Sequence, residues 1–168
     1  MIKDSTKTRD SQARPVYLLS PYCDTQYTAM NSSLNYLKYY LIDNGYSCEV
    51  IDCAHFDEDY DDVIEKLRAT PRPIVGITGY SRERFNAYRL IRRIKNELPN
   101  SLIVTGGRHF GFLAKETLEH LPEVDLVVKG AGEVAFKEIV DHALSDEDFS
   151  DISGVVLRDG KDGIIENK

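Results

Sequence analysis

Residues 101–112 read SLIVTGGRHFGF. An apolar run, Leu102-Ile103-Val104, ends at Thr105 and meets the pair Gly106-Gly107; Arg108 and His109 then lead towards a helix that the pattern starts near Phe112. A strand that stops at glycines and re-enters a helix brings backbone N–H groups close to whatever lies above a sheet. The same design recurs at 125–133, DLVVKGAGE, and more loosely at 74–82, IVGITGYSR. Three such turns would lie side by side at the carboxyl edge of one parallel sheet, where ligands of open α/β sheets bind. The sequence predicts a ligand rim there.

Outward from that stretch, strands and helices alternate. Residues 15–20, PVYLLS, give a buried strand stopped at Pro21. Over 29–44 apolar residues recur at helical spacing (Met30, Leu34, Leu37, Leu41), and Gly45 closes the segment. A second strand over 46–52 precedes a helix over 56–70 with Val63, Ile64 and Leu67 inward, and a third strand covers 74–78. The pattern over 82–98 predicts a long helix with Phe85, Leu90, Ile91, Ile94 and Leu98 inside, and Arg89, Arg92, Arg93 and Lys95 as solvated surface. Strand 102–105 precedes helix 113–121, and strand 125–129 precedes helix 133–144.

Five strands alternating with five helices imply parallel pairing and right-handed crossovers. The expected fold is a flavodoxin-like (Rossmann-like) doubly wound α/β sheet of order 2-1-3-4-5. After an acidic connector, short β segments at 152–157 and 163–166 flank Arg158-Asp159-Gly160-Lys161-Asp162, which reads as a hairpin. The expected organisation is a flexible arm over 1–14, an α/β domain over 15–145 and a hairpin connector over 146–168.

Composition narrows the partners. The 168 residues are 42% hydrophobic and 29% charged, ordinary for one globular domain. A net charge of −7 without a basic tract argues against nucleic acid or an anionic membrane as partner. No apolar run approaches the roughly 18 residues of a membrane span, and the polar N-terminus lacks the apolar core of a signal peptide. The expected location is cytoplasmic. Cys23, Cys48 and Cys53 have neither disulfide nor metal spacing and read as reduced thiols, with Cys23 near enough to the rim for ligand contact as the other reading. The run Asp57-Glu58-Asp59 with Asp61-Asp62 reads as dipole-complementing and solvated carboxylates rather than a metal site.

Several users of this fold fail on residues. A phosphoacceptor receiver needs a carboxylate at the end of strand three, where this chain has Thr78-Gly79-Tyr80. Ser20-Pro21-Tyr22-Cys23-Asp24-Thr25 is a weak flavin-phosphate loop, and no GxGxxG follows strand one. The ordered combination of Gly106-Gly107-Arg108-His109 after strand four and Gly130-Ala131-Gly132-Glu133 after strand five resembles the cobalamin-binding domain of radical-SAM proteins. Asn44-Gly45-Tyr46 before Glu49-Val50-Ile51-Asp52, Val75-Gly76-Ile77-Thr78, and the segment Ile152-Ser153-Gly154-Val155-Val156 agree with that resemblance.

The resemblance implies a cobalamin whose corrin lies over the carboxyl edge, with its nucleotide tail in the crevice between strands one and three. The matching positions are Ser20 and Tyr22; Thr78, Gly79, Tyr80 and Ser81; Gly106, Gly107, Arg108 and His109; and Gly130, Ala131, Gly132 and Glu133. It also implies a radical-SAM catalytic domain as partner, with methyl transfer or related chemistry.

Three departures qualify this. Ala131 stands where the family commonly has Glu, and no Asp-x-His-x-x-Gly follows strand one to provide a histidine ligand. No CxxxCxxC exists for an iron–sulfur cluster, so the domain is free-standing or its catalytic domain lies on another or removed polypeptide. His109 has three readings: a loop histidine capping the next helix, a cobalt ligand, or an indirect contact. Glu133 serves the helix dipole, contacts the ligand, or both. His55, His120 and His142 receive no role, and Tyr17, Tyr22, Tyr27, Tyr36, Tyr39 and Tyr40 read as packing or interface groups. No nucleophile–base pair emerges, so no independent catalytic centre is expected. The competing function is a cofactor-free interaction or regulatory domain; flavin binding is a third reading.

Overall fold

The structure is a computed structural model that describes residues 15–23, 31–56, 59–160 and 163–168. The expected arm over 1–14, Tyr27, Met30, the helix start at 29, Asp57, Glu58 and the turn residues Lys161 and Asp162 lie outside the described residues. In chain order the elements are β1 (Val16–Ser20), α1 (Ser32–Asp43), β2 (Cys48–Asp52), α2 (Cys53–Phe56), α3 (Tyr60–Arg68), β3 (Ile74–Thr78) and α4 (Arg84–Glu97). They continue with β4 (Leu102–Gly106), α5 (Gly107–Phe112), α6 (Ala114–His120), β5 (Leu126–Val128), α7 (Glu133–Ser145), β6 (Val155–Arg158) and β7 (Ile164–Glu166).

The sheet runs β2-β1-β3-β4-β5-β6-β7. Its first five strands are parallel in the order 2-1-3-4-5 read from the sequence, and β6 and β7 continue it antiparallel from β5. The hairpin therefore lengthens the same sheet. Parallel strands are covered on both faces, which is why β1 and β5 are apolar at nearly every position and fully buried. One apolar layer joins Leu19, Ile77 and Ile103 to Leu67 of α3, Ile91 of α4, Phe110 of α5 and Leu118 of α6. The other joins Leu18, Val104 and Val128 to Leu41 of α1 and Phe136 of α7.

Several boundaries differ from the sequence reading for local reasons. The helix expected over 56–70 is split, because Asp59 caps a new start by accepting from the N–H groups of Asp61 and Asp62 at 2.7 and 3.0 Å. The helix expected over 113–121 is α6, and a further short helix not read from the sequence, α5, precedes it from Gly107 and ends before Leu113. Phe85 is exposed rather than inside, and Ala87 takes the inward position in front of Leu90, Ile91 and Ile94. Lys95 is not simply solvated surface: its Nζ donates to Asp125 (2.8 and 3.0 Å) and to the Ser101 carbonyl (2.7 Å).

Asp125 also accepts the N–H of Ile103 at 2.7 Å, tying the amino ends of β4 and β5 together. Asp125→Ala strands that N–H and the ammonium, so urea unfolding should show a loss of about 1–3 kcal/mol with an unchanged denaturant slope.

Candidate functional site

Strand register brings the carboxyl ends level, with Ile77 beside Thr105 and Thr78 beside Gly106. The reversal after β4 uses no loop, since Gly106 ends the strand and Gly107 begins α5. Gly107 has φ +80°, and a Cβ there would collide with Thr78 Oγ1. Backbone and neighbour both require glycine at this position.

Side chains alternate across a strand, so Leu18, Gly76, Val104 and Val128 face the layer of α1 and α7. In that layer an open cleft of about 230 Å³ descends from the rim between α1 and the start of α7. Its apolar lining comes from Leu18, Leu34, Leu37, Val104, Val128 and Phe136. Gly76 belongs to the floor: a Cβ there would come within 2.8 Å of Leu18 Cδ2 and of Phe136 Cε2 and Cζ. The mouth is polar or bare backbone, formed by Ser33, Thr78, Gly106, Gly107, Gly130, Ala131, Gly132 and Glu133. Helix α7 starts at this mouth. Its first amide bonded along the helix is that of Phe136, to the Gly132 carbonyl at 2.8 Å, and Gly132 supplies no capping side chain. The amides of Glu133, Val134 and Ala135 thus have no acceptor within their own helix.

Seven residues named from the sequence, Thr78, Gly106, Gly107, Gly130, Ala131, Gly132 and Glu133, meet at this cleft. The others do not line it. Ser20 is buried at the end of β1, and Gly79 is buried beneath Phe110, Ala87 and Pro21. Tyr22 is half exposed on the neighbouring loop, where its carbonyl accepts from Asn86 at 2.9 Å, and it borders a second depression between α3 and α4. Tyr80 is also half exposed, with the Arg82 guanidinium 5.8 Å from its ring centroid. Arg108 is exposed.

His109 departs most from expectation. It is not in a loop but inside α5, only 5% exposed. Nδ1 meets Ser81 Oγ at 3.1 Å and Nε2 meets the Tyr88 hydroxyl at 2.9 Å, so both ring nitrogens are engaged. Burial first, and the nearby Arg84 charge second, push its pKa below the usual histidine value.

Sequence reasoning missed the cleft wall. Leu34 and Leu37 read only as apolar positions at helical spacing, and they form its α1 side. Gly76 carried the available signal, because a glycine inside a strand marks a close approach. Cys23 is partly buried after β1, and burial raises the Cys48 thiol to about 12, leaving it protonated. Among the described residues no His, Cys, Asp and Glu cluster could hold a metal ion, and no helix is long and apolar enough to cross a membrane.

The model of the B12 binding domain family matches residues 24–140, and the chain belongs to that family. Its relatives include methyltransferases and cobalamin-dependent radical-SAM enzymes. One is an uncharacterized methyltransferase of Pyrococcus horikoshii, PH0819, 28% identical over 128 residues, which covers 76% of this chain and 28% of that protein. Another is the cobalamin-dependent radical SAM methyltransferase TokK of Streptomyces tokunonensis, 35% identical over 81 residues, covering 48% of this chain and 12% of that one. The fold matches OxsB, a cobalamin-dependent S-adenosylmethionine radical enzyme solved with aqua-cobalamin, with a TM-score of 0.81 at 18% identity over 93% of this chain and 22% of the other. The chain thus spans less than a third of each of these proteins.

The buried imidazole gives a pH prediction. With its folded pKa held below 6.5, His109 contributes stability in full above that pH and loses it as pH falls through the lower folded value. A proton NMR titration should place this ring below the usual value, and the stability gap between wild type and His109→Gln should shrink on acidification.

Proposed function

We propose that this chain binds cobalamin and serves a radical-SAM catalytic domain, on the same or a separate polypeptide, in methyl transfer or related chemistry. The cleft between α1 and α7, opening at a rim of glycine turns, carries this reading. Its residues fit the cofactor. An apolar slot with a polar mouth suits a flat heterocyclic base carried on a ribose phosphate. Leu34, Leu37, Val104 and Phe136 would enclose the base, while Ser33, Thr78, the bare backbone of Gly106 and Gly107 and the first-turn amides of α7 would bond the sugar and phosphate. Tyr22 and Tyr80, half exposed on adjoining loops, would lie against the corrin.

When bound, cobalamin supplies a cobalt centre able to carry a methyl group. This chain's residues hold and orient it; none is assigned as acid, base or nucleophile. Engagement of both His109 nitrogens supports a mode without a histidine ligand from this chain. Its three cysteines do not make CxxxCxxC, so an iron–sulfur cluster belongs to the partner domain in this reading.

Titration with hydroxocobalamin and with cobinamide, which lacks the nucleotide tail, tests this reading. Saturation near one cobalamin per chain is expected, with cobinamide weaker by about tenfold or more. Gly132→Val is the informative variant, since a Cβ there meets only Val128 Cγ1 at 3.7 Å while the side chain enters the mouth. It should weaken cobalamin and spare cobinamide, whereas Gly107→Val would disturb the fold itself. Absence of binding up to about millimolar, worth roughly 4 kcal/mol, would overturn the proposal in favour of a cofactor-free interaction domain.

A further inference from the structure

The loop between β3 and α4 is pinned residue by residue. The Gly79 carbonyl accepts the His109 N–H at 3.4 Å, and the Tyr80 N–H donates to Glu83 Oε2 at 3.2 Å. Ser81 is held twice: its carbonyl accepts from Arg84 at 2.7 Å and its hydroxyl meets His109 Nδ1. Glu83, itself 6% exposed, also accepts from Arg82 Nε at 3.2 Å. Amid these ties the Tyr80 ring is left 45% exposed at the carboxyl edge.

His109 links three elements. It sits on α5, bonds Ser81 of the loop, and bonds Tyr88 of α4, whose ring centroid lies 6.0 Å away; Phe110 packs edge-on at 5.2 Å. A neutral imidazole has one donor and one acceptor nitrogen, and the two hydroxyls satisfy both in either tautomer. The ring faces the α4 layer, away from the cleft of α1 and α7.

We propose that His109 is a positioning residue: through Ser81 and Tyr88 it fixes the β3–α4 loop, and with it the Tyr80 ring, where the corrin face is received. This rests on the cobalamin reading but concerns the ring rather than the tail. It distinguishes His109 from a cobalt ligand, because the imidazole acts through hydroxyls and never reaches the metal.

The test compares wild type, His109→Ala, Ser81→Ala, Tyr80→Ala and the His109→Ala/Tyr80→Ala double variant. Two readouts are used: hydrogen exchange of the 79–82 amides in ligand-free protein, and affinity for cobalamin and cobinamide. His109→Ala and Ser81→Ala should speed exchange in that loop while the amides of β1 and β4 keep their protection. His109→Ala should weaken cobalamin and cobinamide alike, by about tenfold for the loss of one or two buried hydrogen bonds. Removing Tyr80 as well should add little, since the two act on one contact. The visible spectrum of bound cobalamin should be the same in wild type and His109→Ala. Unchanged loop exchange, a loss confined to cobalamin, or a spectrum altered in His109→Ala would each overturn the proposal. Failure of wild type to bind either corrinoid would sink the cobalamin reading instead, and the exchange measurement would still decide whether His109 fixes the loop.

Discussion

The architecture of the rim depends on the absence of a side chain at Gly107. The chain leaves β4 and enters α5 without a loop because this residue takes a left-handed φ and because Thr78, at the end of the neighbouring strand, fills the space a Cβ would need. Two consequences follow from that contact. Helix α5 is laid over the end of β3 on the α4 face, which carries His109 to Gly79 and Ser81. The opposite face is left uncovered at the same level, and there α1 and α7 stand apart over Gly76, Val104 and Val128 to leave the cleft. Buried packing on one side and an opening on the other share one turn.

Most of the fold was legible because parallel strands announce themselves. VYLLS, IVGIT and LIVTG have few alternatives once both faces must be buried, and glycines after successive strands mark the edge where backbone comes close to a ligand. Residue identity was a weaker guide to direction. Thr78 and Ser81 are three residues apart on one rim, yet Thr78 borders the cleft while Ser81 turns to His109 on the other face. His109 itself read as a loop group because two glycines precede it. The sequence does not reveal that Gly107 can start a helix at once, and that start is what buries the ring. Leu34 and Leu37 show the converse: helical spacing marks a face as apolar, but only tertiary placement tells a core contact from the wall of an opening.

The electrostatics suit a holding role. Several charged side chains near the rim are engaged with one another or with the backbone: Glu83 with Tyr80 and Arg82, Arg84 with Ser81, and Asp52 with the N–H groups of Asn31 and His55. The interior of the cleft is apolar, and its donors are amides and hydroxyls at the mouth. Such a surface would suit the proposed role of holding a large amphipathic cofactor through shape and a few directional bonds.

A crystal structure of the chain grown with hydroxocobalamin tests this account most directly. The expected result is the nucleotide tail between α1 and α7, its base against Phe136 and Val104, the corrin beside Tyr80, and no nitrogen of His109 within bonding distance of cobalt. A tail outside that cleft, or His109 swung out of its Ser81 and Tyr88 hydrogen bonds onto the metal, would contradict it.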